Sequence, residues 1–316
     1  MLRKIVWIAM ILAVIIGISL FGTGQSTVLA QEQPHNDFMG IWCLGKIVFS
    51  SDRGGRFGIY LVSEKVMTPI VDSVDNDFHP KCSPDGKQIA GMRTNASKVS
   101  TIWLADVSGK NQRLVAKELT PSRSSQLAWS PKGELVGSFY DQKKIQNIFA
   151  VDIVSGKLRP LTTDEDMDKN DPVFAKDGSL CFSGRIVGEQ SWKVYCDKKG
   201  KRMLRYDLIT NSSMMSVCPK DGRWAFAEQV SPEVSIIAIE TPSGGLQHLE
   251  VGSDFAIFPD WSPDCTKIVF SAVTPERVFR IYVYQLDNGQ VTLIDRPTAG
   301  SLKSAPSQMA TTPSDF

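Results

Sequence analysis

Trp129-Ser130-Pro131-Lys132-Gly133 is one of five related segments that decide the fold of this chain. The other four are Cys82-Ser83-Pro84-Asp85-Gly86, Phe174-Ala175-Lys176-Asp177-Gly178, Cys218-Pro219-Lys220-Asp221-Gly222 and Trp261-Ser262-Pro263-Asp264-Cys265. Their fifth residues lie 47, 45, 44 and 43 positions apart. Four of these residues are glycine, which suits a tight turn with positive φ. A period of this length predicts a repeat architecture.

The segment that follows each turn contains short β-branched and apolar runs. After Gly86 these are Gln88–Met92, Thr101–Ala105 and Arg113–Val115, bounded by Gly, Pro, Asn, Asp and Ser. Such runs are typical of strands, and no helical period occurs beyond residue 30. Four strands in about 45 residues predict an all-β protein built of β-propeller blades. A solenoid or sandwich is the alternative, but those repeats are shorter or irregular.

The number of repeats predicts six blades, one of them incomplete. The first unit has three strands, Lys46–Phe49, Gly58–Val62 and Pro69–Val71, and five complete units follow. We expect the missing innermost strand to come from the tail, residues 298–316, at Ala305–Ala310, because closing the ring covers exposed sheet edges. Alternatives are a disordered tail, or an innermost strand at Gly40–Cys43 within residues 31–44, which are otherwise a linker. The propeller is expected at 45–297.

The N-terminal residues predict an export signal. Met1 to Lys4 is a short positive start, Ile5 to Phe21 carries no charge, and Val28-Leu29-Ala30 precedes a cleavage point at Gln31. This pattern is typical of a signal peptide over residues 1–30, with a retained anchor or a buried core helix as alternatives. Without a cysteine near the cleavage point, a lipid anchor is not expected. We expect a periplasmic or secreted protein that does not insert in the membrane once the signal is cleaved.

Composition and charge exclude several classes of partner and cofactor. The 316 residues carry 35 Lys plus Arg and 34 Asp plus Glu, so no bulk charge favours nucleic acid. The six cysteines form no C-x-x-C pair and only three His are present, which disfavours structural zinc.

Export permits disulfides among these cysteines. Cys181 and Cys196 lie on neighbouring antiparallel strands, so we expect them to bond, the alternative being two free, buried cysteines. Cys82 and Cys218 replace an aromatic residue of the repeat and are expected to be small buried side chains.

The repeats resemble those of the TolB-type propeller family. The resemblance lies in Trp129-Ser130-Pro131, in Trp261-Ser262-Pro263-Asp264, and in Ser50–Gly55 before Ile59-Tyr60. It covers about residues 45–297 and implies a periplasmic propeller that binds proteins. The α/β domain that precedes the propeller in TolB is not found here, so its inner-membrane partners are not carried over. Similar repeats also occur in prolyl-oligopeptidase-like enzymes and in pectin-fragment lyases.

Catalytic chemistry has few candidate residues. No G-x-S-x-G nucleophile elbow is present. His79 begins an innermost strand and could face the channel as a base or metal ligand, whereas His35 and His248 lie elsewhere. Acidic residues before two innermost strands predict an acidic rim: Asp72, Asp75, Asp77, Asp164, Glu165, Asp166, Asp168 and Asp171. The second group resembles the start of a calcium loop, but Lys169 stands where an EF-hand needs glycine and no glutamate follows at position twelve.

We therefore assign no catalytic, cofactor or metal residue, and expect a non-catalytic interaction module with a protein partner in the cell envelope. The alternative is a carbohydrate-active lyase that uses His79 and the rim aspartates. The basic run Lys198–Arg202 is predicted to form a solvated hairpin turn, or to contact an anionic polymer or partner.

Overall fold

The computed structural model describes residues 34–63, 66–119, 126–198, 200–206 and 212–294, where every regular element is a β-strand. The propeller lies within the compact unit Pro34–Phe316. The predicted signal peptide, residues 1–30, lies outside the described residues. Within them, no helix has the length and apolar character required to cross a membrane.

The described strands are, in chain order, β1 (Asp37–Cys43), β2 (Lys46–Ser51), β3 (Gly58–Ser63), β4 (Val66–Val71), β5 (Asn76–Cys82), β6 (Gln88–Thr94), β7 (Ser100–Asp106), β8 (Arg113–Leu119), β9 (Leu127–Trp129), β10 (Leu135–Tyr140), β11 (Gln146–Val151), β12 (Leu158–Pro160), β13 (Met167–Phe174), β14 (Leu180–Ile186), β15 (Lys193–Lys198), β16 (Lys201–Tyr206), β17 (Ser212–Val217), β18 (Trp224–Ser231), β19 (Val234–Glu240), β20 (Leu246–His248), β21 (Ala256–Trp261), β22 (Lys267–Val273), β23 (Phe279–Gln285) and β24 (Val291–Leu293).

These strands form six antiparallel sheets of four consecutive strands each. We call the sheets blades 1 to 6; within each blade the first strand is innermost and the fourth is outermost. The inner strands of neighbouring blades contact one another around the ring, and β1 of blade 1 contacts β21 of blade 6. The predicted six-bladed propeller is confirmed.

The hydrophobic core is divided into six clusters, one between each pair of neighbouring blades. Alternation along the strands explains this arrangement, because successive side chains point to opposite faces of a sheet. Ile89 packs against blade 1, while the next residue, Ala90, packs against blade 3. The middle strands are therefore buried on both faces, and most of their buried residues are apolar.

The innermost strand of blade 1 is β1, and the prediction that the tail supplies it is wrong. Asp37–Cys43 lies inside the segment that was predicted to be a linker, and it pairs with β2 along its length. Residues 298–316 lie outside the described residues, and the place predicted for them is occupied. The stretch Asp37–Cys43 also contains the alternative strand Gly40–Cys43.

We call the interface between blade 1 and blade 6 the seam, because it joins the first strand to the last blade. Polar groups of β1 and of the residues before it bond across the seam. The Met39 N–H donates to Ser271 Oγ (3.0 Å), the Trp42 N–H donates to Asp260 Oδ2 (2.9 Å), and the Phe279 N–H donates to Asn36 Oδ1 (3.2 Å).

A buried carboxylate and two arginines reinforce the seam. Asp37 is fully buried and accepts two hydrogen bonds from Arg53 Nη2, at 2.9 and 3.0 Å. Arg280 of blade 6 approaches the same carboxylate to 4.0 Å and donates to the backbone oxygen of His35. The sequence prediction placed His35 in a linker without a role, whereas it is buried in this network.

All six cysteines form disulfides. The predicted bond Cys181–Cys196 is confirmed and links β14 to β15 within blade 4. The prediction that Cys82 and Cys218 are small buried side chains is confirmed for Cys218, which is fully buried, whereas Cys82 is partly buried against the core between blades 1 and 2. Cys82 bonds to Cys43, which joins blades 1 and 2, and Cys218 bonds to Cys265, which joins blades 5 and 6.

Gly109 shows how closely the blades approach at the turns between third and fourth strands. It has φ +79°, and a Cβ there would lie 2.0 Å from the backbone oxygen of Ile70 in blade 1. We expect Gly109→Ala to lower the free energy of unfolding by about 3 kcal/mol, as the sum of left-handed strain and overpacking. Chemical denaturation measures this loss.

Gly133→Ala is the matched control, because Gly133 has φ +80° with nothing within 4 Å of the added Cβ. It should lose only the left-handed strain, about 1–2 kcal/mol. Equal losses in the two variants would show that the approach to Ile70 carries no cost.

Candidate functional site

The central channel is lined by residues at a bulge that recurs in the inner strands. Five inner strands shift register where a non-glycine residue has positive φ: Met39, His79, Asp171, Met214 and Phe258. Proline follows three of them, at positions 80, 172 and 259. Bulges re-aim side chains, and four of these five residues line a cavity on the channel axis. Sequence reasoning noticed the prolines but not the bulge.

Gln126 holds the equivalent position in blade 3, three residues before Trp129 as His79 is three before Cys82. We call these six residues the channel ring: Met39, His79, Gln126, Asp171, Met214 and Phe258. The cavity within the ring has a volume of about 10 Å³, which is room for a single water molecule.

Asp171 is the most deeply buried charged group of the channel, with only 2% of its surface exposed. Its Oδ2 accepts a long hydrogen bond from the Met214 N–H (3.4 Å), and its Oδ1 has no partner among the described residues. Burial raises the pKa of Asp171 to about 7, although the Met214 N–H and the cation of Lys81 act against this. The prediction that Asp171 belongs to an exposed acidic rim is wrong, because this carboxyl is buried.

His79 lies in the channel as predicted. Burial and the nearby charge of Lys81 lower its pKa to about 3. A general base works best with a pKa near the operating pH, so a neutral imidazole of this kind is a poor one. Burial also raises the pKa of Asp260, whose carboxylate accepts from the Trp42 N–H and Ser216 Oγ. Gln126 is buried too, with its Nε2 unpartnered among the described residues.

The structure does not bring the rim aspartates to His79, because structural ion pairs hold them. Asp77 is fully buried against Arg93 Nε (2.8 Å), and Asp168 pairs with Arg185 (2.8 Å). The same Asp–Arg pair thus occurs in three blades. Its members are 16 residues apart in Asp37–Arg53 and Asp77–Arg93, and 17 residues apart in Asp168–Arg185. That spacing was visible in the sequence and was missed.

The remaining acids of the predicted rim are also engaged or dispersed. Asp164 binds the fully buried Lys169 (2.8 Å) and Arg202, so ion pairs within the protein hold this loop. Glu165 pairs with Lys143, and Asp72 pairs with Arg56 (3.2 Å). Asp75 is half-buried beside Ser73, and Asp166 is exposed.

Few metal-ligating groups come together in the described residues. The one group of three is Cys218, Asp221 and Cys265, and its two sulfur atoms are bonded to each other. His248 Nε2 lies 2.8 Å from Glu228 Oε2 on an exposed outer strand.

One face of the ring carries exposed apolar side chains. We call it the loop face. It is the end of the ring at which the inner strands begin, and it contains the connections between blades and the loops between second and third strands. Val74, with 90% of its surface exposed, lies before β5. The other exposed apolar residues of this face are Val99, Tyr140, Ile186, Val187 and Val230. Among the described residues, the turns of the opposite face carry Leu44 and Val154, and three outer strands that begin at that face start with an exposed apolar residue, Val66, Leu158 and Leu246.

No family model matches the chain, and no curated protein sequence matches it either. Solved structures do match. TolB from Acinetobacter baumannii aligns with a TM-score of 0.60 at 16% identity, over 84% of this chain and 64% of TolB. The fold is that of a TolB-type propeller. The predicted resemblance is thus confirmed for the fold, and this chain spans less than two thirds of that TolB.

TolB-type propellers share this fold with propellers from peptidases. The β-propeller domain of the Trilobed protease from Pyrococcus furiosus, described with an open velcro topology, aligns with a TM-score of 0.56 at 15% identity, over 85% of this chain and 99% of that one. A puromycin-hydrolyzing peptidase of Mycobacterium tuberculosis aligns with a TM-score of 0.58 at 12% identity, over 88% of this chain and 56% of the peptidase. Likeness at these identities establishes the fold alone.

Proposed function

We propose that this chain is an exported, non-catalytic propeller that binds a protein partner in the cell envelope through its loop face. The observation that carries the proposal is the set of exposed apolar side chains on the loops and strand ends of that face, among them Val74 with 90% of its surface exposed. Exposed apolar side chains gain free energy when a partner covers them. The rigid ring beneath it fixes the loops in position, as expected of a binding surface.

Two further observations support the proposal. The cavity beside His79 has room for about one water molecule, and His79 is held neutral, which makes it a poor general base. Three disulfides suit an oxidising compartment outside the cytosol. The predicted signal peptide and the periplasmic location of TolB-type proteins agree with an envelope location.

The loop face is tested by capture from envelope extract with quantified recovery. We expect the double variant Val187→Asp and Val230→Asp to recover at least tenfold less of the captured partner than the unaltered protein. Val154→Asp is the matched control, because Val154 is 88% exposed on the opposite face. Equal recovery by the double variant, or an equal loss in Val154→Asp, would contradict the proposal.

The non-catalytic part is tested separately with oligogalacturonides and with a peptide library. We expect no turnover of either. Cleavage that His79→Asn abolishes would replace the proposal with the lyase alternative.

A further inference from the structure

The outer strand of blade 4, β16, is an open sheet edge. It has six residues, Lys201–Tyr206, whereas the outer strands of blades 3, 5 and 6 have three. Among the described strands β16 pairs with β15 alone. Its backbone N–H and C=O groups on the other side are therefore available to a further strand.

A turn of the next blade approaches the backbone of the other long outer strands, β4 and β8, at one residue each. The turn at Gly109 lies against the backbone oxygen of Ile70 in β4, and the turn at Gly156 lies against the backbone oxygen of Val115 in β8. The corresponding turn next to β16 contains Gly244, and a Cβ at Gly244 would meet nothing within 4 Å. The close approach of a turn glycine is thus missing at β16, where blade 5 instead contacts Arg205 through Glu240 (2.7 Å) and packs Trp224 and Phe226 against Tyr206.

Exposed apolar side chains stand on both faces of this edge. Met203 and Leu204 are 52% and 49% exposed, and adjacent residues of a strand point to opposite faces. Met203 lies opposite Cys196 and Leu204 lies opposite Tyr195 in the register with β15. A bulge at Arg205 ends the regular ladder, so Lys201–Leu204 is the usable length. Lys201, Arg202 and Arg205 also charge this edge, which disfavours pairing with another cationic strand.

The hairpin that contains β16 is strongly cationic. Residues 193–206 hold one acid, Asp197, against six cations: Lys193, Lys198, Lys199, Lys201, Arg202 and Arg205. Acids from elsewhere in the chain pair with three of these cations, whereas Lys201 is exposed. A peptide that binds along this edge would therefore bind more tightly if it carried acidic residues beside its apolar ones.

We propose that β16 binds an extended segment of a partner protein, apolar at its centre and acidic at its ends, by adding it as a fifth strand of blade 4. Main-chain hydrogen bonds supply affinity in this mode, and alternate side chains supply specificity. A second copy of this chain is disfavoured, because two β16 strands would bring their cations together. The proposal is separate from the loop face and stands without it.

The test uses fluorescent eight-residue peptides with four central Val, Ile or Phe residues and two glutamates at each end. Anisotropy measures their binding to the purified mature protein. Leu204→Lys separates strand addition from charge, because it removes an apolar contact and adds a cation. We expect at least tenfold weaker binding in Leu204→Lys, and an equal loss when the central peptide nitrogens are methylated.

Leu246→Lys is the matched control on the three-residue strand of blade 5, where binding should be unchanged. Bound peptide should also slow hydrogen exchange in β16. Equal or tighter binding by Leu204→Lys, or equal binding by methylated peptides, would overturn the proposal in favour of an anionic polymer. It would also be overturned if no peptide binds, or if sedimentation shows a dimer that Leu204→Lys dissociates.

Discussion

Asp171→Asn and His79→Asn are expected to change the pH dependence of stability in opposite directions. Asp171 has a raised pKa of about 7, so the folded chain holds a proton that the unfolded chain has lost above about pH 4. Its contribution to stability is complete below pH 4 and is lost as the pH rises to 7, by about 4 kcal/mol. Removing the carboxylate should remove this loss.

His79 acts in the opposite sense. Its pKa is lowered to about 3, so between pH 3 and 6.5 the unfolded chain binds a proton that the folded chain does not. The stability contributed by the neutral imidazole is fully present above pH 6.5. About 5 kcal/mol of it is lost as the pH falls from 6.5 to 3. Over pH 4 to 6.5 the two groups nearly cancel in the unaltered protein.

The measurement is urea unfolding at several pH values with the disulfides intact. From pH 4.5 to 6.5, the stability of Asp171→Asn relative to the unaltered protein should rise by about 3 kcal/mol, and that of His79→Asn should fall by about as much. Asparagine tolerates the positive φ at both positions. His248→Asn, on an exposed strand, controls for removal of a histidine. If the difference in the free energy of unfolding between each variant and the unaltered protein did not change with pH, this account of the channel would be wrong.

Deleting Asp37–Cys43 is expected to abolish cooperative folding, because the deletion removes the strand that closes the ring. Blade 1 loses its inner strand and the Cys43–Cys82 bond, and blade 6 loses its partner across the seam. Terminal repeats cannot bury their apolar faces alone. Circular dichroism during thermal unfolding should show no sharp transition.

Asp37→Asn tests the same seam without a deletion. It removes the charge that faces Arg53 and Arg280, and breaking a buried ion pair costs about 3–5 kcal/mol. Truncation after Pro297 is the control, because β1 already fills the place predicted for the tail. A large loss of stability in the truncated chain, with none in Asp37→Asn, would reverse this assignment.

The repeat made most of the fold predictable. Five marked turns located their blades, because each turn connects an inner strand to a buried second strand. β1 was missed because its seven residues lack such a turn: Leu44-Gly45 replaces the longer segment. Strand periodicity alone could not decide between the two ends of the chain, since both offered a short apolar run.

The candidate site was less predictable because it depends on packing between blades. The Cys181–Cys196 pairing followed from strand adjacency within one hairpin. Cys43–Cys82 and Cys218–Cys265 join different blades, so their pairing depends on packing between blades and not on adjacency within one hairpin. The pKa of Asp171 could not be derived at all, since in the sequence it looks like one more acid of an exposed loop.

The seam sets an order on folding during synthesis. Five of the six blade interfaces join neighbours in the sequence and can form as soon as the next blade emerges. The seam bonds Trp42 to Asp260 and Asn36 to Phe279, across 218 and 243 residues. The apolar residues on that side of blade 1, such as Phe49, must therefore wait uncovered until blade 6 has been made. Contacts of such long range slow folding and expose the chain to aggregation. The nascent propeller is thus most prone to aggregate through the apolar face of blade 1, which is synthesised first.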